Sequence, residues 1–156
     1  MEKSLDQLDW MELLCQEFQL KDLDIRTYSP LTFAYIGDGV YELIIRTILV
    51  KRGNCSVNKL HRQASALVRA GAQSKMMEAL EPALTQEESR IYKRGRNAHP
   101  STMAKNATMG EYRRATGFEA LIGWLYLTKQ RRRMMELVKT GISYIESEEK
   151  TWTGSR

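Results

Sequence analysis

Cysteine, histidine and proline are all scarce in this 156-residue chain, which has two, two and three of them. Cys15 and Cys55 form no CxxC pair and no disulfide framework, which excludes a stapled secreted scaffold and a thiolate metal knuckle. Thiols left unpaired in this way suit a reducing compartment, so a cytoplasmic protein is expected. His61 and His99 lack partners at HExxH spacing, which removes the zinc hydrolases of that type. The ten glycines are dispersed. No P-loop, GxGxxG or GxSxG elbow occurs, and no nucleotide cofactor is expected. No apolar run is long enough to span a bilayer, because Glu42 and Arg46 break the longest one. The acidic start (Glu2, Asp6, Asp9, Glu12) is unlike a secretory or organellar leader.

What remains is ordinary globular composition, 42% hydrophobic, and enough chain to bury a core. No strand-like alternation or repeat appears, and Leu, Met, Ala, Glu, Lys and Arg favour helix. We read the chain as all-α and as one domain spanning residues 1–156. Leu5, Leu8, Leu13, Leu14 and Phe18 predict an amphipathic opening helix over 5–20. Ser29-Pro30 starts a second helix, which Lys51-Arg52-Gly53-Asn54 ends. Val57, Leu60, Ala64, Leu67, Val68, Met76 and Leu80 repeat at helical spacing, and Gly71 divides that segment. Thr85-Gln86-Glu87-Glu88 reads as a capping box opening a helix that runs to about Arg94. Gly95 to Gly110 is expected to be a surface loop. Helix resumes near Glu111, with Phe118, Leu121, Ile122 and Leu125 facing the core. A last helix holds Met134, Leu137, Val138, Ile142 and Ile145, before a frayed polar tail at 146–156.

Leu31–Val50 is apolar on nearly every side, the mark of a buried helix. Asp38 sits in its middle between Gly37 and Gly39, where an ionised carboxylate is costly without compensation. Glu119 borders the apolar face of its own helix, with Gly123 one turn on, where a neighbouring helix could approach closely. If the two helices cross there, both carboxylates face one point. Two such oxygen donors suit a hard cation such as Mg²⁺, which keeps several waters. Structural roles stand level with this reading: Asp38 as an internal helix cap, and Glu119 paired with Arg113 or Arg114. Glu42 and Arg46, four apart, read as a surface ion pair.

The net charge of +5 is local. Residues 90–114 carry seven bases (Arg90, Lys93, Arg94, Arg96, Lys105, Arg113, Arg114) against Glu111 alone, a net +6 that leaves −1 for the rest. With Asn97 and His99 this stretch suits phosphate contacts, which set affinity and register rather than sequence. A solvated loop with incidental charge is the plain alternative. The second cluster, Lys129 to Arg133, reads as a helix end or solvated turn. His61 and Gln73 fit a contact with such phosphates or with the basic loop, or helix packing.

Tyr35-Ile36-Gly37-Asp38-Gly39-Val40 resembles the signature helix of ribonuclease III, and Phe118-Glu119-Ala120-Leu121-Ile122-Gly123 resembles its second acidic helix. The match is nearer to the short bacterial subgroup Mini-ribonuclease III. Its marks are Ala34 to Asp38, Lys93-Arg94-Gly95-Arg96-Asn97-Ala98, and Tyr112-Arg113 ahead of Phe118. The resemblance covers roughly residues 28–140. It implies a helical, homodimeric, Mg²⁺-dependent endonuclease on double-stranded RNA, with Mn²⁺ able to substitute, trimming precursor 23S ribosomal RNA to 5′-phosphate ends. It also implies that Asp38 and Glu119 hold the metal, while Ala34 and Thr116 stand where larger relatives carry two further acids. No double-stranded-RNA-binding domain is expected, so Arg94, Arg96, Asn97, Lys105, Arg113 and His61 are expected to grip the RNA. Two rival readings are a catalytically silent scaffold of this fold and a helical module docking on an acidic protein.

Overall fold

The computed structural model describes residues 9–98 and 108–153, the side chains of 150–153 apart. Among these residues seven α-helices follow in order: α1 (Trp10–Glu17), α2 (Pro30–Lys51), α3 (Val57–Val68), α4 (Ala70–Leu80), α5 (Gln86–Asn97), α6 (Met109–Leu127) and α7 (Arg131–Thr153). Short 3-10 turns at Ile25–Thr27 and Glu81–Ala83 lead into α2 and α5. Among the described residues there is no strand, and no helix is long and apolar enough to cross a membrane.

The helix starts are chemically marked. Ser29 Oγ accepts the Leu31 N–H (3.1 Å) ahead of Pro30, and Thr108 Oγ1 accepts the Glu111 N–H (3.1 Å). The capping box at α5 is reciprocal: Glu88 N–H donates to Thr85 Oγ1 (3.2 Å), and Thr85 N–H donates to Glu88 Oε1 (2.9 Å). Each such cap answers backbone donors that have no partner within the helix.

The central helix is α6, not α2. From Ala115 to Tyr126 every α6 residue except Glu119 is buried, with α2, α4, α5 and α7 packed around it. The expected core face, Phe118, Leu121, Ile122 and Leu125, is fully buried. The expectation of an all-round buried α2 is corrected. It buries Phe33, Ala34, Gly37, Tyr41, Ile45 and Leu49, whereas Tyr35, Leu43 and Val50 are exposed on its outer side. Apolar composition alone did not distinguish a core-facing stripe from an outward one.

Other boundaries shift for local reasons. Extended backbone at Arg69 (ψ 155°) divides α3 from α4, while Gly71 lies inside α4 beside the Glu111 carboxylate. Helix α5 continues through Asn97 because Gly95 is buried against α6. Helix α7 runs past 146, where Lys75–Glu148 and Arg52–Glu146 ion pairs and the Tyr144 hydroxyl on Glu78 (2.7 Å) tie its polar turns down. The opening helix has no fully buried residue, and residues 1–8, with Leu5 and Leu8, lie outside the described residues.

Arg133 is not a turn cation, as its cluster had suggested. Its Nε and Nη2 donate to the buried Glu88 carboxylate (2.8 and 2.9 Å), and Nη2 also donates to the Ala83 carbonyl (2.8 Å). These bonds hold the Glu88 carboxyl below its usual range, against the opposing pull of burial. Arg133→Met strands a buried charge and is expected to cost about 2 kcal/mol in urea unfolding at pH 7, discounted for the partial exposure of Arg133. The folded-state pKa of Glu88 is depressed, so its contribution is present above the unfolded carboxylate pKa and lost as pH falls through the folded value. The variant's deficit therefore shrinks in acid.

Candidate active site

Helices α2 and α6 cross with backbone against backbone. A Cβ at Gly37 would strike the Glu119 carbonyl, and one at Gly123 would strike the Phe33 carbonyl and lie 3.0 Å from the Gly37 nitrogen. Only glycine permits this approach from both sides. Tyr41 sets its ring edge-on to Phe118 (centroids 4.9 Å), next to the crossing.

Asp38 follows Gly37, and Glu119 supplies the carbonyl that Gly37 abuts, so the crossing brings their side chains together. Their carboxyls come close enough for the charge of Asp38 to act on Glu119. Asp38 lies at the border of the buried stripe and is exposed, while Glu119 is half-buried. Burial first, then the nearby Asp38 carboxylate, push the Glu119 carboxyl up from 4.5 to about 9. Desolvation and a like charge both disfavour ionisation.

The structural alternatives for these two acids do not hold. Helix α2 is continuous from Pro30 to Lys51, so Asp38 caps nothing. Arg114 turns away and donates Nε to Ser74 Oγ (2.6 Å), and neither Arg113 nor Arg114 pairs with Glu119 among the described residues. Glu42 and Arg46 do form the surface pair (2.9 Å). Ala34 and Thr116 are both buried, and the Thr116 hydroxyl donates to the Tyr112 carbonyl (3.0 Å). Among the described residues no group of three or more His, Cys, Asp or Glu side chains converges.

The basic residues gather in part. Gly95 presses on the Gly117 Cα and Ala120 Cβ, setting the last turn of α5 beside the helix that carries Glu119. Arg94, Arg96 and Asn97 share that turn. Arg94 is exposed, with Nη2 3.5 Å from the Tyr28 carbonyl. Arg96 lies over the Tyr92 ring (5.7 Å), 3.9 Å from Glu81 and 3.4 Å from Asn97 Oδ1. Arg113 is exposed on α6. His61 is exposed on α3, beside a small cavity with Val50, Val57 and Leu60, and not with the carboxyl pair. Gln73 is buried, donating to the Val68 carbonyl (3.1 Å), which is a packing role. Lys105 lies outside the described residues. Sequence reasoning missed Gly37, Gly95 and Gly117 as contact points; small residues on facing helices were the available signal.

The Ribonuclease III domain profile matches residues 31–130. The chain is 44% identical to a Clostridium tetani Mini-ribonuclease 3 over 134 residues, covering 85% of this chain and 87% of that one. An Enterococcus faecalis Mini-ribonuclease 3 is 46% identical, covering 81% of this chain and 98% of the relative. A crystal structure of a Fusobacterium nucleatum protein superposes with a TM-score of 0.71 at 33% identity, covering 78% of this chain and 98% of that one. With two carboxyls meeting at a glycine crossing inside that profile, this chain belongs to the ribonuclease III family, among the Mini-ribonuclease 3 proteins, and is an endoribonuclease.

Proposed function

We propose that the chain cleaves double-stranded RNA with Mg²⁺, or Mn²⁺ in its place, held by Asp38 and Glu119, and that precursor 23S ribosomal RNA is its substrate. The carrying observation is the carboxyl pair itself: two oxygen-donor groups brought together at the glycine crossing of α2 and α6, one half-buried, with no ion pair to either among the described residues. Such a pair fits a hard divalent ion that retains waters, since two carboxylates leave most of its coordination open. When bound there, the ion supplies Lewis acidity toward the scissile phosphate and a water acidic enough to ionise near neutral pH. To hold such a cation Glu119 would have to be ionised, and both carboxylates would fix the site against the rigid α2–α6 crossing. The products are 5′-phosphate and 3′-hydroxyl ends.

Arg94, Arg96, Asn97 and Arg113, with Lys105, supply the phosphate grip, and His61 a more distant contact. Duplex RNA exposes its shape and 2′-hydroxyls rather than a readable major groove, so affinity rests on such contacts. Arg94→Ala is expected to weaken duplex binding several-fold and to lower the salt slope by about one. Titrations between about 50 and about 200 mM salt measure both.

The working unit in this reading is a homodimer built on the outer side of α2. Tyr35, Leu43 and Val50 are 83%, 54% and 60% exposed within about an 80° arc of that helix, and Val57 of α3 borders the same cavity as Val50. A two-fold axis through this face gives each RNA strand one carboxyl pair. Tyr35→Ala is expected to shift the protein toward monomer in sedimentation at micromolar concentration. The reading as a whole is tested by incubating the protein with precursor 23S ribosomal RNA, with and without Mg²⁺, and mapping the ends. Absence of Mg²⁺-dependent cutting would leave a silent scaffold.

A further inference from the structure

The total charge hides a second basic stretch beside that of residues 90–114. From Leu43 to Met77 the chain carries seven bases and no acid, offset in the total by acids before and after it. Arg46, Arg52 and Lys75 are answered by Glu42, Glu146 and Glu148. Lys59, Arg62 and Arg69 make no ion pair among the described residues. All three are exposed and lie on α3 or close it. Lys59 and Arg62 fall within about a 60° arc of that helix, and Arg69 within about 20° of Arg62, on the side away from Leu60, Ala64 and Leu67. Asn58 and Ser65 share this outer face. Lys59 also borders a cavity lined by Glu146 and Glu149, so the unopposed charge is that of Arg62 and Arg69.

The face is tied to the carboxyl pair at one end. The Tyr41 hydroxyl, one turn past Asp38 on α2, donates to the Leu67 carbonyl in the last turn of α3 (2.7 Å). Beyond Arg69 the first turns of α4 meet those of α6: Gly71 faces the Glu111 carboxylate, and Ser74 Oγ accepts from Arg114 Nε (2.6 Å). Arg69 therefore stands at the joint next to the turn of α6 that carries Arg113. From there the face runs about 15 Å along α3 to Lys59. Protein interfaces centre on buried apolar anchors, and from Asn58 to Arg69 no large apolar side chain is exposed. A polar, positive surface extended along a rod suits a phosphate backbone instead. We propose that the outer face of α3 is a second contact surface for the RNA duplex, with Arg62 and Arg69 on its phosphates and Asn58 and Ser65 on its sugars. It rests on the double-stranded-RNA reading above and adds a track leading away from the carboxyl pair.

The test titrates the full chain, its double variant Arg62→Gln/Arg69→Gln, Arg94→Ala and Lys139→Gln against a fluorescent RNA duplex over a range of salt. The double variant is expected to bind about tenfold more weakly and with a salt slope lower by about two. Lys139 is exposed on α7, and Lys139→Gln, which removes one charge elsewhere, is expected to bind like the wild type. The substituted side chains are exposed and make no ion pair, so the fold is retained, which circular dichroism verifies. Three results overturn the proposal while leaving the RNA reading in place: wild-type affinity and slope in the double variant when Arg94→Ala weakens binding; a loss on Lys139→Gln as large as that of the double variant; or a polyglutamate peptide that competes equally with unlabelled duplex for the wild type but not for the double variant. The last would assign the face to an acidic protein. Failure of the wild type to bind duplex at all would overturn the RNA reading and this surface with it.

Discussion

Glu119→Gln is expected to lower RNA cleavage by about 10³-fold or more, equivalent to about 4 kcal/mol of transition-state stabilisation, while making the metal-free protein more stable. Both effects come from one contact. Glutamine keeps the shape and can donate to the Asp38 carboxylate but cannot hold a cation as a carboxylate does. In the metal-free wild type the Glu119 carboxyl is raised from 4.5 to about 9. A raised folded-state pKa contributes stability that is complete below the unfolded value and is lost as pH climbs to the folded one. Thermal unfolding of the wild type in chelator should therefore weaken from pH 5 toward pH 9, and that of the variant should not. At pH 8 the variant should be ahead by about 2 kcal/mol, taking partial solvation of the site into account. Mg²⁺ should restore the wild type and leave the variant unmoved, because only a native-state ligand site shifts unfolding. Asp38→Asn should abolish cutting similarly while leaving duplex RNA binding intact. Wild-type cutting by either variant would remove that residue from the proposed site.

The second large effect is structural. Gly123→Ala places a methyl group on the Phe33 carbonyl, with the Phe33 carbonyl carbon at 2.8 Å and the Gly37 nitrogen at 3.0 Å. Those neighbours are main chain inside a 22-residue helix and cannot rotate aside as a side chain could. Helix α2 must instead move off α6, loosening the shared packing of Phe33, Tyr41 and Phe118. The expected loss is about 3 kcal/mol or more, the range of severe overpacking. Activity should fall with it, because the same movement separates Asp38 from Glu119. Gly39→Ala is the control: nothing lies within 4 Å of its Cβ position, and replacing an exposed mid-helix glycine should stabilise by about 0.5–1 kcal/mol. Urea denaturation of the two variants compares them directly.

These glycines also mark where the sequence was legible. Gly123 one turn after Glu119 was readable as a place for close approach, and the core face of α6 followed from simple periodicity. The capping box at Thr85 was plain as well, since a local hydrogen-bond pattern has a local signature. Long-range partners were not legible. Nothing near Arg133 announces Glu88, forty-five residues earlier, and Gly95 looked like the start of a loop until its contact with Gly117 and Ala120 was seen. The outward side of α2 was misread for a related reason: Tyr35, Leu43 and Val50 are as apolar as Phe33 and Ile45, and only the position of α6 separates the two groups. The carboxyl pair was therefore half visible, as two residue types with suggestive neighbours, and its adjacency was supplied by the packing.

The fastening of α3 has a mechanical consequence. That helix has one buried side chain, Leu67, and the Tyr41 hydroxyl clasps its Leu67 carbonyl from inside the core (2.7 Å). Its first turns, by contrast, depend on Leu60 and Ala64 alone for partial cover. A rod pinned at one end peels from the other, so amide exchange should begin near Val57 and slow toward Leu67. Whatever leans on His61 thus works against a hinge at Arg69 whose latches are the Tyr41 phenol on Leu67 and the Gln73 amide on Val68.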